Sequence, residues 1–347
     1  HVYLPERDID GDGILNIFDT HNIPGGQAGS IYSHITISAG GYFYACGISD
    51  NGTLHCWGDN YQGQLGIGGG DGTNSPTAVN LGQGRTAKAV AAGEYHACAI
   101  LDNDSVKCWG NNGDGQLGLG NNLYTNAPTD VVDLGVGRTA VAIAAQHSIS
   151  CVILDNGSIS CWGRGDLGAL GDGNGQTSWT PVLVDLPAGR TAVSISAGGE
   201  GHVCAILDNS SLMCWGRNHH GQLGDGTNVN RRTSPVYVDF GTDLSVIAVS
   251  NTYSGTCAII DGGSVKCWGY NSHTGTYTNT PYNVSIATGR TAVAIDSDGG
   301  GNNHCAVLDN GSVQCWYGGW NGDGTTTSSN SPVYVSLDSS VKVTSVS

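Results

Sequence analysis

Twelve cysteines dominate the side chains that could do chemistry, and they fall into six pairs with the same spacing: Cys46 and Cys56, Cys98 and Cys108, Cys151 and Cys161, Cys204 and Cys214, Cys257 and Cys267, Cys305 and Cys315. Thiols can ligate metal, attack a substrate or join as disulfides. No Cys-x-x-Cys or compact His/Cys cluster occurs, so the metal reading is weak. Two cysteines ten residues apart and centred on a turn can face one another on paired strands, where Cα atoms about 4.5 to 5.5 Å apart suit a disulfide. Six bridges within hairpins are therefore expected, with buried free thiols as the alternative. Bridges imply an oxidising compartment.

A second constellation lies near the amino terminus. Asp8, Asp10, Asp12, Asn16 and Asp19 place oxygen donors at positions 1, 3, 5, 9 and 12 of a loop. The carbonyl of Ile14 would be the donor at position 7, and Gly13 supplies the sharp turn. Ca²⁺ takes about 6 to 8 oxygens at one point, which is why alternate carboxylates must converge. The segment resembles thrombospondin type 3 or dockerin loops rather than a paired EF-hand, because no entering helix is visible in residues 1–7. Position 12 is Asp rather than Glu, which leaves bidentate ligation open. A solvated acidic turn is the alternative. The expected cofactor is Ca²⁺, acting as a structural clip.

Catalytic motifs are missing. Gly-x-Ser-x-Gly, His-Glu-x-x-His and Walker-type loops are all absent. His96, His147, His202 and His304 each shortly precede the first cysteine of a unit, so all four read as repeat residues rather than a unique site. No enzymatic activity is expected. Sequons occur at Asn51, Asn103, Asn156, Asn209, Asn283 and Asn310; five of them sit at hairpin turns, where turn chemistry alone could select asparagine.

The elements that must position these residues follow from a tandem repeat. The second cysteine of every pair is followed by Trp, and steps of 52, 53, 53, 53 and 48 residues separate the six Cys-Trp dipeptides. Around each pair, alternating apolar residues flank a polar turn such as Asp102-Asn103-Asp104 or Asp155-Asn156-Gly157, which reads as a hairpin. A β-prone run precedes each hairpin, and Gly-Gln-Leu-Gly segments such as Gly115 to Gly118 follow most of them. Three to four short strands per unit make a propeller blade. The fold class expected is all-β, a propeller of about six blades over residues 31–347, behind an amino-terminal segment 1–30. Each recurring Trp is expected to pack between blades.

The order Gly-Arg-Thr-Ala, then Cys-Ala-Ile-Leu, then Cys-Trp-Gly and Gly-Gln-Leu-Gly resembles the regulator of chromosome condensation repeat over roughly residues 33 to 347. The resemblance implies a propeller that typically closes seven blades, and a protein-binding role. Units five and six depart from the pattern: Ser272-His-Thr-Gly275 and Trp320-Asn-Gly-Asp323 stand where Gly-Gln-Leu-Gly is expected. A seventh copy of the inner-strand pattern, Val341 to Ser347, has no hairpin after it. Three explanations compete: the strand is an outer addition to the same ring, the native chain continues past Ser347, or the strand pairs with another subunit.

Composition limits the partners. Gly at 56, Met at 1 and charged residues at 12% suit a turn-rich β-protein. A formal charge of -16 disfavours nucleic acid. No run of about 18 apolar residues is present, so no membrane insertion is expected. The chain begins at His1, consistent with removal of a signal peptide. An extracellular or cell-surface structural or adhesive protein is expected, partnered by other copies of itself or by an extracellular protein and joined through its terminal segments. The alternative is a secreted monomer that binds or inhibits another protein, with Tyr61, Tyr124, Trp179, Tyr270 and Trp320 as candidate loop contacts.

Overall fold

The structure is a computed structural model that describes residues 36–40, 43–241, 244–297, 302–318, 321–337 and 342–344. The acidic loop of Asp8 to Asp19, the boundary at residues 30/31 and Trp320 lie outside them. Every element among the described residues is a strand, and no helix there is long and apolar enough to cross a membrane.

The strands form six consecutive antiparallel sheets, giving a six-bladed β-propeller. Blade one contains β1 (Thr36–Gly40), β2 (Tyr44–Ile48), β3 (Leu54–Asp59) and β4 (Gly72–Ala78). Blade two contains β5 (Ala87–Ala92), β6 (His96–Leu101) and β7 (Val106–Gly110). Its outer strand is reduced to two isolated bridges, Lys107 with Val131 and Gly110 with Thr125. Blade three is β8 (Ala140–Gln146), β9 (Ile149–Leu154), β10 (Ile159–Gly163) and β11 (Ser178–Leu183). Blade four is β12 (Ala192–Gly198), β13 (His202–Leu207), β14 (Leu212–Arg217) and β15 (Arg231–Tyr237). In blade five, β16 (Val246–Asn251) and β17 (Gly255–Ile260) precede the longer β18 (Ser264–Asn271) and β19 (Thr276–Val284). Blade six closes the series with β20 (Ala292–Ser297), β21 (His304–Leu308), β22 (Val313–Trp316) and β23 (Val333–Tyr334).

Register follows from the cysteine spacing. In each blade the two cysteines are directly opposed on the second and third strands, and all six bridges form with Cα separations of 4.0 to 4.1 Å. The second strands of blades two to five are buried at every residue, as strands sandwiched between neighbouring sheets must be.

The core lies in the seams. Tyr44, Leu54, Leu65 and Trp109 fill the first seam, Leu117 and Trp162 the second, Leu170 and Trp215 the third, Leu223 and Trp268 the fourth. The leucine comes from one blade's Gly-Gln-Leu-Gly segment, or Gly-Ala-Leu-Gly in blade three, and the Trp from the next blade. The expectation that each Trp packs between blades is met for Trp109, Trp162, Trp215, Trp268 and Trp316, and not for Trp57. A backbone bond also recurs at each seam: the amides of Ala87, Ala140, Ala192, Val246 and Ala292 donate to carbonyls in the preceding blade's hairpin turn, at 2.8 to 3.0 Å.

Symmetry fails at two places. In blade five, Ser272-His-Thr-Gly275 replaces the wide loop, and β18 and β19 pair up to Asn271 and Thr276 as a tight hairpin. Without a Leu wedge or a matching carbonyl, the indole Nε1 of Trp316 is buried and has no hydrogen-bond partner among the described residues. The second place is the junction of blades six and one. Successive inner strands pack on one another from β1 through β20, but no comparable packing of β20 on β1 occurs among the described residues. Trp57 of blade one is only half-buried, whereas the other five Cys-Trp indoles are buried. The surplus segment bears on this junction. Residues 342–344 are not in a strand, but the Val343 amide donates to the Gly311 carbonyl at 3.0 Å, the same bond that starts the inner strands of blades two to six.

Candidate functional site

The up-and-down order of strands gives each blade two unlike ends. Hairpin turns and blade-to-blade connections gather at one end and repeat closely. Arg85 pairs with Asp102 at 2.9 Å, Arg138 with Asp155 at 3.0 Å, Arg190 with Asp208 at 3.1 Å and Arg290 with Asp309 at 3.3 Å. These groups are well exposed, and such pairs contribute little. Most of the sequon asparagines are used locally: Oδ1 of Asn103, Asn156, Asn209 and Asn310 accepts from the hydroxyl two residues on at 2.7 Å, and Oδ1 of Asn51 accepts from the Thr53 amide at 3.0 Å. Asn283 stands apart in β19, where its Oδ1 accepts from Lys266 Nζ at 2.8 Å.

The opposite end carries the loop between the first and second strands and the wide loop after the third, and here the blades differ. Of the four histidines expected to be repeat residues, only His96 and His202 share one register, each opposite a glycine; His304 lies one residue later in its unit, opposite Trp316. His96, His202 and His304 are buried, and His96 Nε2 and His202 Nε2 meet Ser150 Oγ at 2.8 Å and Thr256 Oγ1 at 3.2 Å in the next blade. Those hydroxyls donate in turn to the carbonyls of Gln116 and Gln222, both at 2.9 Å. Burial pushes all three imidazoles down to about 3. His147 is a correction. Ile149 takes the core position in its blade, and His147 stands in the first loop at φ 48°, with Nε2 3.6 Å from the Glu94 carboxylate of blade two.

The most unusual arrangement is in blade four. Glu200, on the first loop, is buried, and its Oε2 lies 3.5 Å from Arg217 Nε, 3.6 Å from His219 Nδ1 and 3.8 Å from His220 Nδ1. Gln222 Nε2 donates to the same oxygen at 3.3 Å, and Arg217 Nε donates to His219 Nδ1 at 2.8 Å. His220 stacks on Tyr270 of blade five with centroids 5.1 Å apart. Burial, aided by Arg217 and His220, pushes the His219 imidazole below its usual range against the pull of Glu200. Two imidazoles and a carboxylate converge here, a donor set that can hold a transition metal.

This cluster is not among the sites expected from the sequence, although the sequence carries a signal for it. Where blade four has His219-His220, the other wide loops have Tyr61-Gln62, Gly113-Asp114 and Asp166-Leu167. Of the candidate loop aromatics, Tyr270 joins the cluster, Tyr61 and Tyr124 are exposed, and Trp179 packs over Gly115 of blade two. A cleft of about 360 Å³ opens beside the cluster, between blades five and six, lined by Tyr277, Tyr282, Tyr317 and Asn330 among others. It occupies the side of blade five where the wide loop is missing.

Comparison with known proteins agrees with the geometry. The regulator of chromosome condensation (RCC1) repeat matches residues 51–100, 103–153, 156–206 and 211–259, and a second form of the same repeat matches 35–64, 87–116 and 192–222. Each longer match straddles two blades; residues 51–100, for example, run from β3 to β6. Among curated relatives, the ultraviolet-B receptor UVR8 of Arabidopsis thaliana is 31% identical over 232 residues, 65% of this chain and 52% of the receptor. The human E3 ubiquitin-protein ligase HERC2 is 29% identical over 225 residues, 64% of this chain and 5% of the ligase. The chain thus spans about half the plant receptor and a small part of the ligase. Among solved structures, human WBSCR16 superposes with a TM-score of 0.77 at 19% identity, covering 89% of this chain and 84% of that one. Yeast RCC1 (Prp20) bound to Kap60 gives 0.74 at 17%, covering 88% and 76%. With more than half of its length matched by the repeat, and with blades, seams and buried tryptophans in the order the repeat prescribes, the chain belongs to the regulator of chromosome condensation (RCC1) repeat family.

Proposed function

We propose that this chain is a non-catalytic protein-binding disc that works in an oxidising, extracellular setting and grips its partner with the loop end of its blades. The observation that carries this is the contrast between the two ends. The hairpin end repeats the same arginine, aspartate and asparagine contacts, as scaffolding does. The loop end differs in every blade and concentrates Glu94, His147, Arg164, Asp166, Glu200 and Arg217 beside the exposed Tyr61. Binding of Kap60 by the yeast relative is a fact about that protein, and it supports only the general idea of a propeller that docks proteins. Twelve cysteines in six bridges support the compartment, since such bridges persist where thiols are not kept reduced. Ca²⁺ held by Asp8, Asp10, Asp12, Ile14, Asn16 and Asp19 is part of the same proposal. The test is site-specific photocrosslinking in the native medium: probes at Tyr61 and His147 should capture one common partner, and probes at Asn156 should not. Capture from the hairpin end alone would refute the assignment.

A structural, self-assembling role is the second reading, and the blade-six junction favours it. Trp57 is incompletely covered, and the Val343 amide already makes the bond that opens an inner strand. Strands from another copy would cover that seam, because an unpaired sheet edge accepts main-chain hydrogen bonds. Sedimentation and electron microscopy in calcium should then show head-to-tail oligomers, dissolved by Trp57→Glu. Isolated discs at every concentration would exclude it.

A further inference from the structure

We propose that Glu200, His219 and His220 form a binding site for a divalent transition cation of the zinc type. The donor atoms already converge. Glu200 Oε2 lies 3.6 and 3.8 Å from the two Nδ1 atoms, and one ligand atom from each residue falls within 4.8 Å of the others. Tetrahedral ligands with bonds of about 2.0 to 2.1 Å stand roughly 3.3 Å apart, so small side-chain movements complete the site. Two imidazoles with one carboxylate select such a metal over calcium or magnesium, which prefer oxygen alone. Water or a partner's side chain would supply a fourth ligand.

A second observation points to a missing ligand. His220 Nδ1 is buried and has no hydrogen-bond partner among the described residues. Nδ1 of His96, His202 and His304 is left in the same way, but of the four only His220 Nδ1 lies beside a carboxylate and a second imidazole, where a metal ion would satisfy it. Surrounding contacts fix the ligands as outer partners of metal sites do. Gln222 Nε2 donates to Glu200 Oε2, the His220 amide donates to Gln222 Oε1 at 3.0 Å, and Tyr270 stacks on the His220 ring. In the repeat's ordinary form, this glutamine donates back within its own blade to Asp59 or Asn111, the counterpart of Arg217. In blade four Arg217 cannot accept, and the glutamine turns instead to Glu200 of the first loop.

Arg217 competes for the site. Its Nε donates to His219 Nδ1 and stands beside Glu200, so without a cation the guanidinium supplies the positive charge. A third of the side chain is exposed, which lets it swing outward when metal enters. This yields a result that a plain salt-bridge cluster would not give: removing Arg217 should improve metal binding.

The experiment is a Co²⁺ titration of the full, disulfide-intact chain, followed by visible absorption and then displacement by Zn²⁺. Wild-type protein should take up one equivalent with the intense bands of a four- or five-coordinate nitrogen-ligated centre. Arg217→Gln should bind roughly tenfold tighter, as expected for removing one charge-assisted competitor. His219→Ala and His220→Ala should each lose the bands while keeping the wild-type melting profile in metal-free buffer. Should either variant misfold, Arg217→Gln still decides the matter by itself. Octahedral spectra, equal uptake by the histidine variants, or weaker binding by Arg217→Gln would each overturn the proposal.

Discussion

The indole Nε1 of Trp162 donates to the carbonyl of Gln116 at 2.8 Å across the seam between blades two and three. Trp109, Trp215 and Trp268 make the same bond to Gln64, Ala169 and Gln222 at 2.9 Å. Trp316 does not, because the blade before it lacks the segment that offers the carbonyl. Two chemically identical substitutions should therefore differ. Trp109→Phe strands the buried Gln64 carbonyl, which has no second donor like the Ser150 hydroxyl at Gln116, and loses ring volume, at a cost of about 2 to 4 kcal/mol. Trp316→Phe loses similar volume but also removes an unsatisfied N–H, so its cost should be smaller by about 1 to 2 kcal/mol. Chemical denaturation of the two variants measures the difference, and equal losses would show that the hydrogen bond adds nothing.

Blade count, hairpin register and cysteine pairing were legible in the sequence because each depends on short-range pattern repeated six times. Cys98 and Cys108 need only a turn between them. The β-prone run expected before each hairpin is a strand in every blade, as at Ala87–Ala92, whereas the surplus copy shows none at residues 342–344. What escaped is set by contacts between units. His147 resembles His96 by position near a cysteine, yet two residues of offset move it from a seam to a loop. Glu200 and His219 are far apart along the chain and meet only because first and third loops share one end of a blade. Trp316 loses its partner through a change in the preceding unit, beyond the reach of any single-repeat pattern.

Acid should weaken the fold before ordinary carboxylates titrate. His96, His202 and His304 have an ordinary value of 6.5, which burial lowers to about 3 in the folded chain. Between those values the unfolded chain binds more protons. The stabilising contribution is therefore full above 6.5 and declines as pH falls through the window, by about 1.4 kcal/mol per pH unit for each histidine. Unfolding free energy measured at pH 7, 6 and 5 should fall progressively. His96→Gln, able to keep a bond to Ser150, should shallow the slope by about a third; a flat profile over that range would contradict neutral burial.

Disulfides should matter blade by blade. Each closes a loop of ten residues, for which the chain-entropy estimate is roughly 2 to 3 kcal/mol. The double variant Cys98→Ala/Cys108→Ala should lose about that much. Blade two is a sharp place to measure it, because its outer strand is reduced to isolated bridges and offers little compensation. The untreated, denatured protein should give no reaction with a thiol reagent. Recovery of free sulfhydryls would undo both the bridges and the compartment argued from them.

Close approach at the seams should outweigh visible charge pairing at the hairpin end. Gly118 has φ 72°, and a Cβ there would come 2.8 Å from Trp162 Nε1, so Gly118→Ala meets both backbone strain and a buried, hydrogen-bonded indole. The expected cost is about 1 to 3 kcal/mol. Arg138→Ala removes a 3.0 Å ion pair with Asp155, but both side chains are more than a third exposed. Its expected cost is under about 1 kcal/mol and should shrink further in salt. Thermal unfolding of the two variants at low and high ionic strength tests the ranking. If Arg138→Ala were the more damaging, the hairpin end would be contributing more to stability than its exposure allows.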